Sequence, residues 1–175
     1  MKEFFDKHKK GIKEMLTYII LIVVVLLIKV YIVTPVRVNG ESMMGTLHSK
    51  DIMLLNEITY KFNDIKRFDI VVVKIKNENI IKRVIGLPGE KIEYKDNKLY
   101  VNGKYVKEDF DHAKTEDFNI EEIESTVVPE GSYFVLGDNR VNSVDSRILG
   151  FIPEGQILGR AKYTIYPFNR FGKKN

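Results

Sequence analysis

The chain has 175 residues, 44% of them hydrophobic and 30% charged, with a formal net charge of +4. That suits one folded domain of ordinary size and excludes a disordered chain. The lysines are scattered and form no basic stripe with interleaved aromatics, so no nucleic-acid partner is expected. The lack of cysteine removes disulfides, thiol nucleophiles and cysteine-ligated metals. His8, His48 and His112 lie far apart without metal-ligand spacing, and neither a metal nor another cofactor is expected.

Met15 to Ile28 reads MLTYIILIVVVLLI, without a charge, and is followed by Lys29 and VYIV. As a helix, Met15–Val33 is roughly 28 Å long, near the thickness of a bilayer's hydrocarbon core. Lys29 stands near one end, where its stem can carry the ammonium to the headgroups. Lys2, Lys7, Lys9, Lys10 and Lys13 precede the apolar run. The rival reading, a cleaved signal, needs a small-x-small site close behind the core, and KVYIVTPVRVNG has none near enough. An uncleaved anchor is expected: a basic cytoplasmic tail over residues 1–14, a span over 15–34, and a domain outside the cytoplasm over 35–175.

Beyond Pro35 the helical signal stops. Short runs rich in β-branched residues follow: Asp51–Leu55, Asp69–Ile75, Ile80–Ile85, Lys91–Tyr94, Lys98–Val101, Ser132–Leu136 and Ala161–Tyr166. Asn102-Gly103 between LYV and KYV marks a tight hairpin, because a type I′ turn needs positive φ at both positions. Pro88-Gly89, Glu130-Gly131 and the stretch Leu149–Pro153 read as further breaks. Asp109–Ser125 is acidic, lacks alternation, and reads as a loop or a short exposed helix. The fold expected is mostly β: one N-terminal transmembrane helix, then a two-sheet antiparallel domain with a small insert at about 96–128.

Three islands are too polar for their surroundings. Val38–Leu47 holds Ser42 after Gly40-Glu41 and before Met43, a few residues beyond the span; taken alone, Ser42 is also an ordinary turn serine. In Ile80–Glu90 a strand puts Ile80, Lys82 and Val84 on one face and Ile81, Arg83 and Ile85 on the other. One cation can be solvated, so the other points inward, where desolvation favours its neutral form. A neutral amine is what a serine needs to lose its proton. The alternative is that both cations guard an edge strand. Gly137–Arg147, dense in Asp138, Arg140, Ser143, Asp145 and Arg147, reads as a locked hydrogen-bond network.

In order and spacing, GESM, KRVIGLPGE and GDNRxxSxDSR resemble the boxes of bacterial type I signal peptidases, membrane-bound Ser–Lys leader peptidases, here in a Gram-positive-like short form. The resemblance runs from the anchor to about Tyr166. It implies Ser42 as nucleophile, Lys82 as general base, and Ser143 as the hydroxyl that orients the lysine. Asp145 and Arg147 match a supporting salt-bridged pair, with Asp138 and Arg140 in the same network. Gly40 and Met43 fall in the substrate and oxyanion region. The substrates implied are secreted preproteins with small residues before the cleavage site. The bilayer and the secretion translocon are the expected partners.

The chain departs from that pattern at two positions. Gly45 stands where the family usually has proline, and Phe68-Asp69 where it usually has Gly-Asp. The expectation is that Gly45 is a neutral departure, with φ already near −65° so that a proline is tolerated. Two other readings stay open. One is an SOS-repressor-type Ser–Lys autoprotease, which is soluble and has a DNA-binding domain in place of the anchor. The other is a catalytically weak or non-enzymatic paralogue acting in pilus or surface-protein assembly.

Overall fold

Runs of β-branched residues separated by turns pair here into two antiparallel sheets behind one long helix. In this computed structural model, residues 2–31, 34–57, 60, 63–123 and 125–174 are described. Helix α1 covers Lys2–Tyr31, so the basic tail is helical and continuous with the apolar run. Its large apolar side chains from Met15 to Leu26 are all solvent-exposed. Among the described residues no helix is long and apolar enough to cross a membrane. The expected span Met15–Val33 passes Leu26, beyond which the helix side chains are not described, and its end at Ile32 and Val33 lies outside the described residues.

The larger sheet is built from β1 (Thr34–Arg37), β2 (Ile52–Asn56), β3 (Ile70–Ile75), β4 (Glu78–Gly86), β9 (Ser132–Leu136), β10 (Ile152–Pro153) and β11 (Ile157–Tyr166). Their order is β1-β2-β11-β3-β4-β9-β10, and β12 (Gly172–Lys173) pairs with β11. The smaller sheet, in the order β7-β6-β5-β8, takes β5 (Ile92–Lys95), β6 (Lys98–Val101), β7 (Lys104–Val106) and β8 (Phe118–Asn119). A four-residue helix, α2 (Ser146–Leu149), follows the third polar island.

Turn chemistry accounts for the smaller sheet. Asn102 and Gly103 have φ of 50° and 75°, as the expected hairpin between β6 and β7 requires. A second hairpin, β5 to β6, turns through Asp96 and Asn97, at 50° and 61°. No glycine marks it, because Asp and Asn tolerate this region better than other side chains. Asp109–Ser125 is largely irregular, apart from β8 and one 3₁₀ turn at Ile120–Glu122. It is less exposed than its composition suggests, since Thr115 and Ile120 are fully buried. Glu124 lies outside the described residues.

The core covers both faces of β3. Val72 packs with Met43, Met53, Leu55 and Ile81, while Val71 and Val73 pack with Val84, Val135 and Ile152. A third cluster, around Ile92, Tyr94, Leu99, Phe134 and Leu136, joins the smaller sheet to the larger. From Arg83 onward β4 is accordingly an interior strand between β3 and β9, while its first half pairs with β3 alone. This corrects the expectation that one of its two cations faces water: Lys82 and Arg83 are 2% and 0% exposed. A strand covered on both faces leaves neither cation a solvated side.

Candidate active site

Ser42 is placed by the residues that follow it. Met43 and Leu47 are buried in the core, and the backbone between them closes as a helical turn, with Leu47 N–H donating to the Met43 carbonyl at 2.9 Å. Met43 therefore anchors the nucleophile turn from inside the core. Gly40, with φ of 87°, lets the chain reverse before the turn. Ser42 is left half-buried at the rim. Its carbonyl accepts from Asn139 N–H at 2.9 Å, so the third island holds the nucleophile's backbone directly.

Lys82 reaches the same place from β4. Its ammonium donates to Ser143 Oγ at 3.2 Å. Burial pushes the amine down from 10.5 to about 8; Asp145 opposes the shift and Arg147 adds to it. Ser42 and Lys82 line one open groove of about 680 Å³, walled by Pro35 and Val36 on β1 and by Ile80 and Ile81 on β4. Gly137 lies between the islands. A Cβ there would collide with Ser143 Oγ and the Ser42 carbonyl oxygen, and would come within 2.7 Å of Ser143 Cβ. Only a hydrogen in that position lets the two serines approach.

Asp145 caps α2 and holds the loop. Its carboxylate accepts from Gly137 N–H at 3.0 Å and takes Arg147 bidentately at 2.9 and 2.8 Å. Burial works to raise this carboxyl, but the Arg147 and Gly137 bonds hold it below its usual range. Asp138 and Arg140 join the network through other partners than each other. Asp138 is paired with Arg83 at 2.8 and 2.7 Å, both side chains fully buried. Arg140 donates to the Gly137 carbonyl at 3.0 Å, to Tyr94 and Thr115 hydroxyls at 2.9 and 2.7 Å, and to Glu108 at 2.6 Å. Glu108, Tyr94 and Thr115 were not singled out from sequence, and Arg83 was named only as the second cation of β4. For Arg83 the signal was its place on a strand without a solvated face; for the others no local pattern pointed here.

Gly45 corrects an expectation. Its φ is 110°, and a Cβ would come within 2.8 Å of the Asp111 carbonyl oxygen. The position is therefore not a neutral stand-in for proline, whose ring holds φ near −65°. Gly45→Pro is expected to destabilise the fold by more than about 1 kcal/mol, read as a lower midpoint in thermal denaturation. An unchanged or raised midpoint would mean that the turn reaches a proline-compatible conformation.

Residues 12–166 match the family model described as "Signal peptidase, peptidase S26". The chain is 40% identical over 177 residues to a signal peptidase I of Bacillus caldolyticus, covering 95% of this chain and 96% of the relative. It is 39% identical over 178 residues to signal peptidase IB of Staphylococcus aureus, covering 91% and 93%. Among solved structures, a signal peptidase I from Enterococcus faecalis V583 matches with a TM-score of 0.52 and 41% identity, over 56% of this chain and 97% of that one. With Ser42 and Lys82 lining one groove and the third polar island bonded to both, the chain belongs to the signal peptidase family, peptidase S26.

Proposed function

We propose that this chain is a serine endopeptidase that removes N-terminal signal peptides from secreted preproteins, with Ser42 as nucleophile and Lys82 as general base. The observation that carries the residue assignment is the buried Lys82 amine, held by Ser143 and pushed down to about 8, in the groove that Ser42 lines. Neither an autoprotease of the SOS-repressor type nor a non-enzymatic paralogue draws support from the relatives.

Neutral Lys82 takes the Ser42 Oγ proton as the oxygen attacks the scissile carbonyl. The Ser42 N–H serves as a donor to the developing oxyanion. The Lys82 ammonium then gives its proton to the leaving amine, and the mature chain departs. Water, deprotonated by the same amine, hydrolyses the remaining Ser42 ester. Asp145 and Arg147 support Ser143 through the loop, and no metal or cofactor enters. Two strand edges border the groove: β1, which pairs only with β2, and the first half of β4, which β9 leaves uncovered. An extended peptide can hydrogen-bond along such edges. The test is cleavage of a preprotein with an Ala-x-Ala site by the purified full chain in detergent, beside Ser42→Ala. Equal cleavage by that variant would refute the assignment.

We further infer that residues 15–34 anchor the chain, with 1–14 cytoplasmic and the domain from 35 onward, including its insert at about 96–128, outside the cytoplasm. The support is a helix apolar on all sides and exposed from Met15 to Leu26, behind a lysine-rich start. The bilayer and the translocon are then its neighbours, and tethering raises the effective concentration of membrane-bound substrate. Alkaline carbonate extraction is expected to leave the full-length chain in the pellet. A soluble chain beginning near Glu41 would mean a cleaved signal instead.

A further inference from the structure

The two departures from the family pattern, Gly45 and Phe68, meet at one segment of the inserted region. The Asp111 carbonyl oxygen fills the space where any other residue at position 45 would carry a Cβ. One residue earlier, the Phe110 ring packs on Phe68 with centroids 5.3 Å apart. Phe68 holds φ of 69°, a conformation that costs a bulky residue on the order of 1–2 kcal/mol. Phe110 also lies under the Arg83 guanidinium at 3.8 Å and within 5.9 Å of Arg140. Arg83 in turn donates to Thr46 Oγ1 and to the Phe68 carbonyl, each at 3.0 Å.

The segment is tied at both ends. Glu108 accepts from Arg140 at 2.6 Å, and Ala113 N–H donates to the Asp138 carbonyl at 2.9 Å. Residues 108–113 therefore touch the nucleophile turn at Gly45, the neighbour of the lysine at Arg83, and the loop that carries Ser143. A glycine in the nucleophile turn loosens it by itself. The strap supplies from outside the restraint that a ring at position 45 would supply from within.

We propose that residues 108–113 form a positioning strap for the Ser42–Lys82 pair, in which Phe110 and the Asp111 carbonyl hold the Gly45 turn against Arg83. This rests on the catalytic reading above. Phe110 touches none of the reacting groups and acts through Gly45, Thr46 and Arg83. Its loss acts on the alignment of serine and lysine, which enters kcat, more than on the groove between β1 and β4, which enters KM. Misplacement of about 1 Å in such a pair is enough to slow turnover up to roughly 100-fold.

The test uses the full-length chain in detergent with a preprotein carrying an Ala-x-Ala site, and steady-state kinetics on Phe110→Ala, Phe110→Tyr and Gly45→Ala. Phe110→Ala is expected to lower kcat roughly tenfold or more, with KM within about twofold. Phe110→Tyr keeps the ring and is expected to restore kcat to within about twofold. Gly45→Ala drives a Cβ against the Asp111 oxygen and is expected to lower kcat in the same way, which serves if Phe110→Ala does not fold. Folded fractions from thermal denaturation under assay conditions correct each kcat. Wild-type kcat in folded Phe110→Ala or Gly45→Ala, a matching rise in KM, or failure of Phe110→Tyr to restore turnover overturns the strap. Wild type and Ser42→Ala run in parallel: if they cleave equally, the catalytic reading fails, not the strap.

Discussion

Lys82→Met abolishes cleavage in the expected result, lowering kcat/KM by about 10⁴-fold or more, and at neutral pH the variant melts higher than the wild type. The first half follows because, among the described residues lining the groove, Lys82 is the one amine beside Ser42; members of such a unit fail almost completely when one is removed. His112 is occupied elsewhere, with its ring nitrogens on the Ala113 carbonyl at 2.8 Å and Glu108 at 3.5 Å. The wild-type kcat/KM should rise with pH and level off above about 8, where the amine is neutral. A profile governed by an ionisation near pH ~6.5, lost on His48→Ala or His112→Ala, would make histidine the base.

The second half is a matter of proton counting. In the unfolded chain Lys82 stays charged up to about 10.5, but in the fold only up to about 8. Between these values the unfolded state binds the extra proton, so stability rises with pH across that window. Below about 8 both states are charged and the full burial penalty stands, on the order of 3 kcal/mol. Methionine fills similar space without a charge and removes that penalty. Its advantage in melting temperature should be largest below pH 8 and fade towards pH 10.5. A variant that melts lower than wild type at pH 7 would mean that the lysine is not destabilised where it sits.

What the sequence revealed depended on how local the physics was. Asn102-Gly103 announced its hairpin because few other pairs accept positive φ twice, whereas Asp96-Asn97 does the same without a glycine and passed unnoticed. Alternation on β4 put Lys82 and Arg83 on opposite faces and required one of them to point inward. The choice of Lys82 over Arg83 was beyond parity and rested on the family resemblance. Parity could not reveal that Arg83 is equally buried, because that depends on Asp138, 55 residues on, and on the covering strap. Glu108 was invisible for a similar reason. It lies beside a stretch whose acidity reads as solvated loop, and its partner Arg140 is 32 residues away. Gly45 was misread because a family proline at that place suggests φ near −65°, while the glycine's actual use is a positive φ and room for another backbone. The role of Ser143 rested on resemblance to the family, since nothing near it in sequence names its partner 61 residues earlier.

The largest loss of stability is expected at that hidden pair. Arg83 and Asp138 are fully buried and bonded through Nε and Nη2 at 2.8 and 2.7 Å. The remaining guanidinium bonds go to the Phe68 carbonyl and Thr46. Arg83→Ala leaves a buried carboxylate without its cation, opens a hole under Phe110, and frees two acceptors. Breaking a buried pair on one side costs about 3–5 kcal/mol, a large share of the roughly 5–15 kcal/mol that holds a domain folded. Arg83→Ala should therefore lower the urea midpoint by more than any surface substitution, and Asp138→Ala should do likewise. Removing both charges at once leaves no orphan, so the double variant Arg83→Met, Asp138→Leu should be more stable than either alanine variant. Measured in a double-mutant cycle, the coupling between the two sites should exceed about 1 kcal/mol. Additive losses would show that each side chain is held by its other contacts and that the ion pair between β4 and the Ser143 loop contributes little. Because Arg83 adjoins Lys82 on β4 and bonds Thr46 in the nucleophile turn, activity in the double variant should fall well below that of wild type even where the fold survives. That outcome would separate a pair kept for the placement of the catalytic groups from one kept for stability alone.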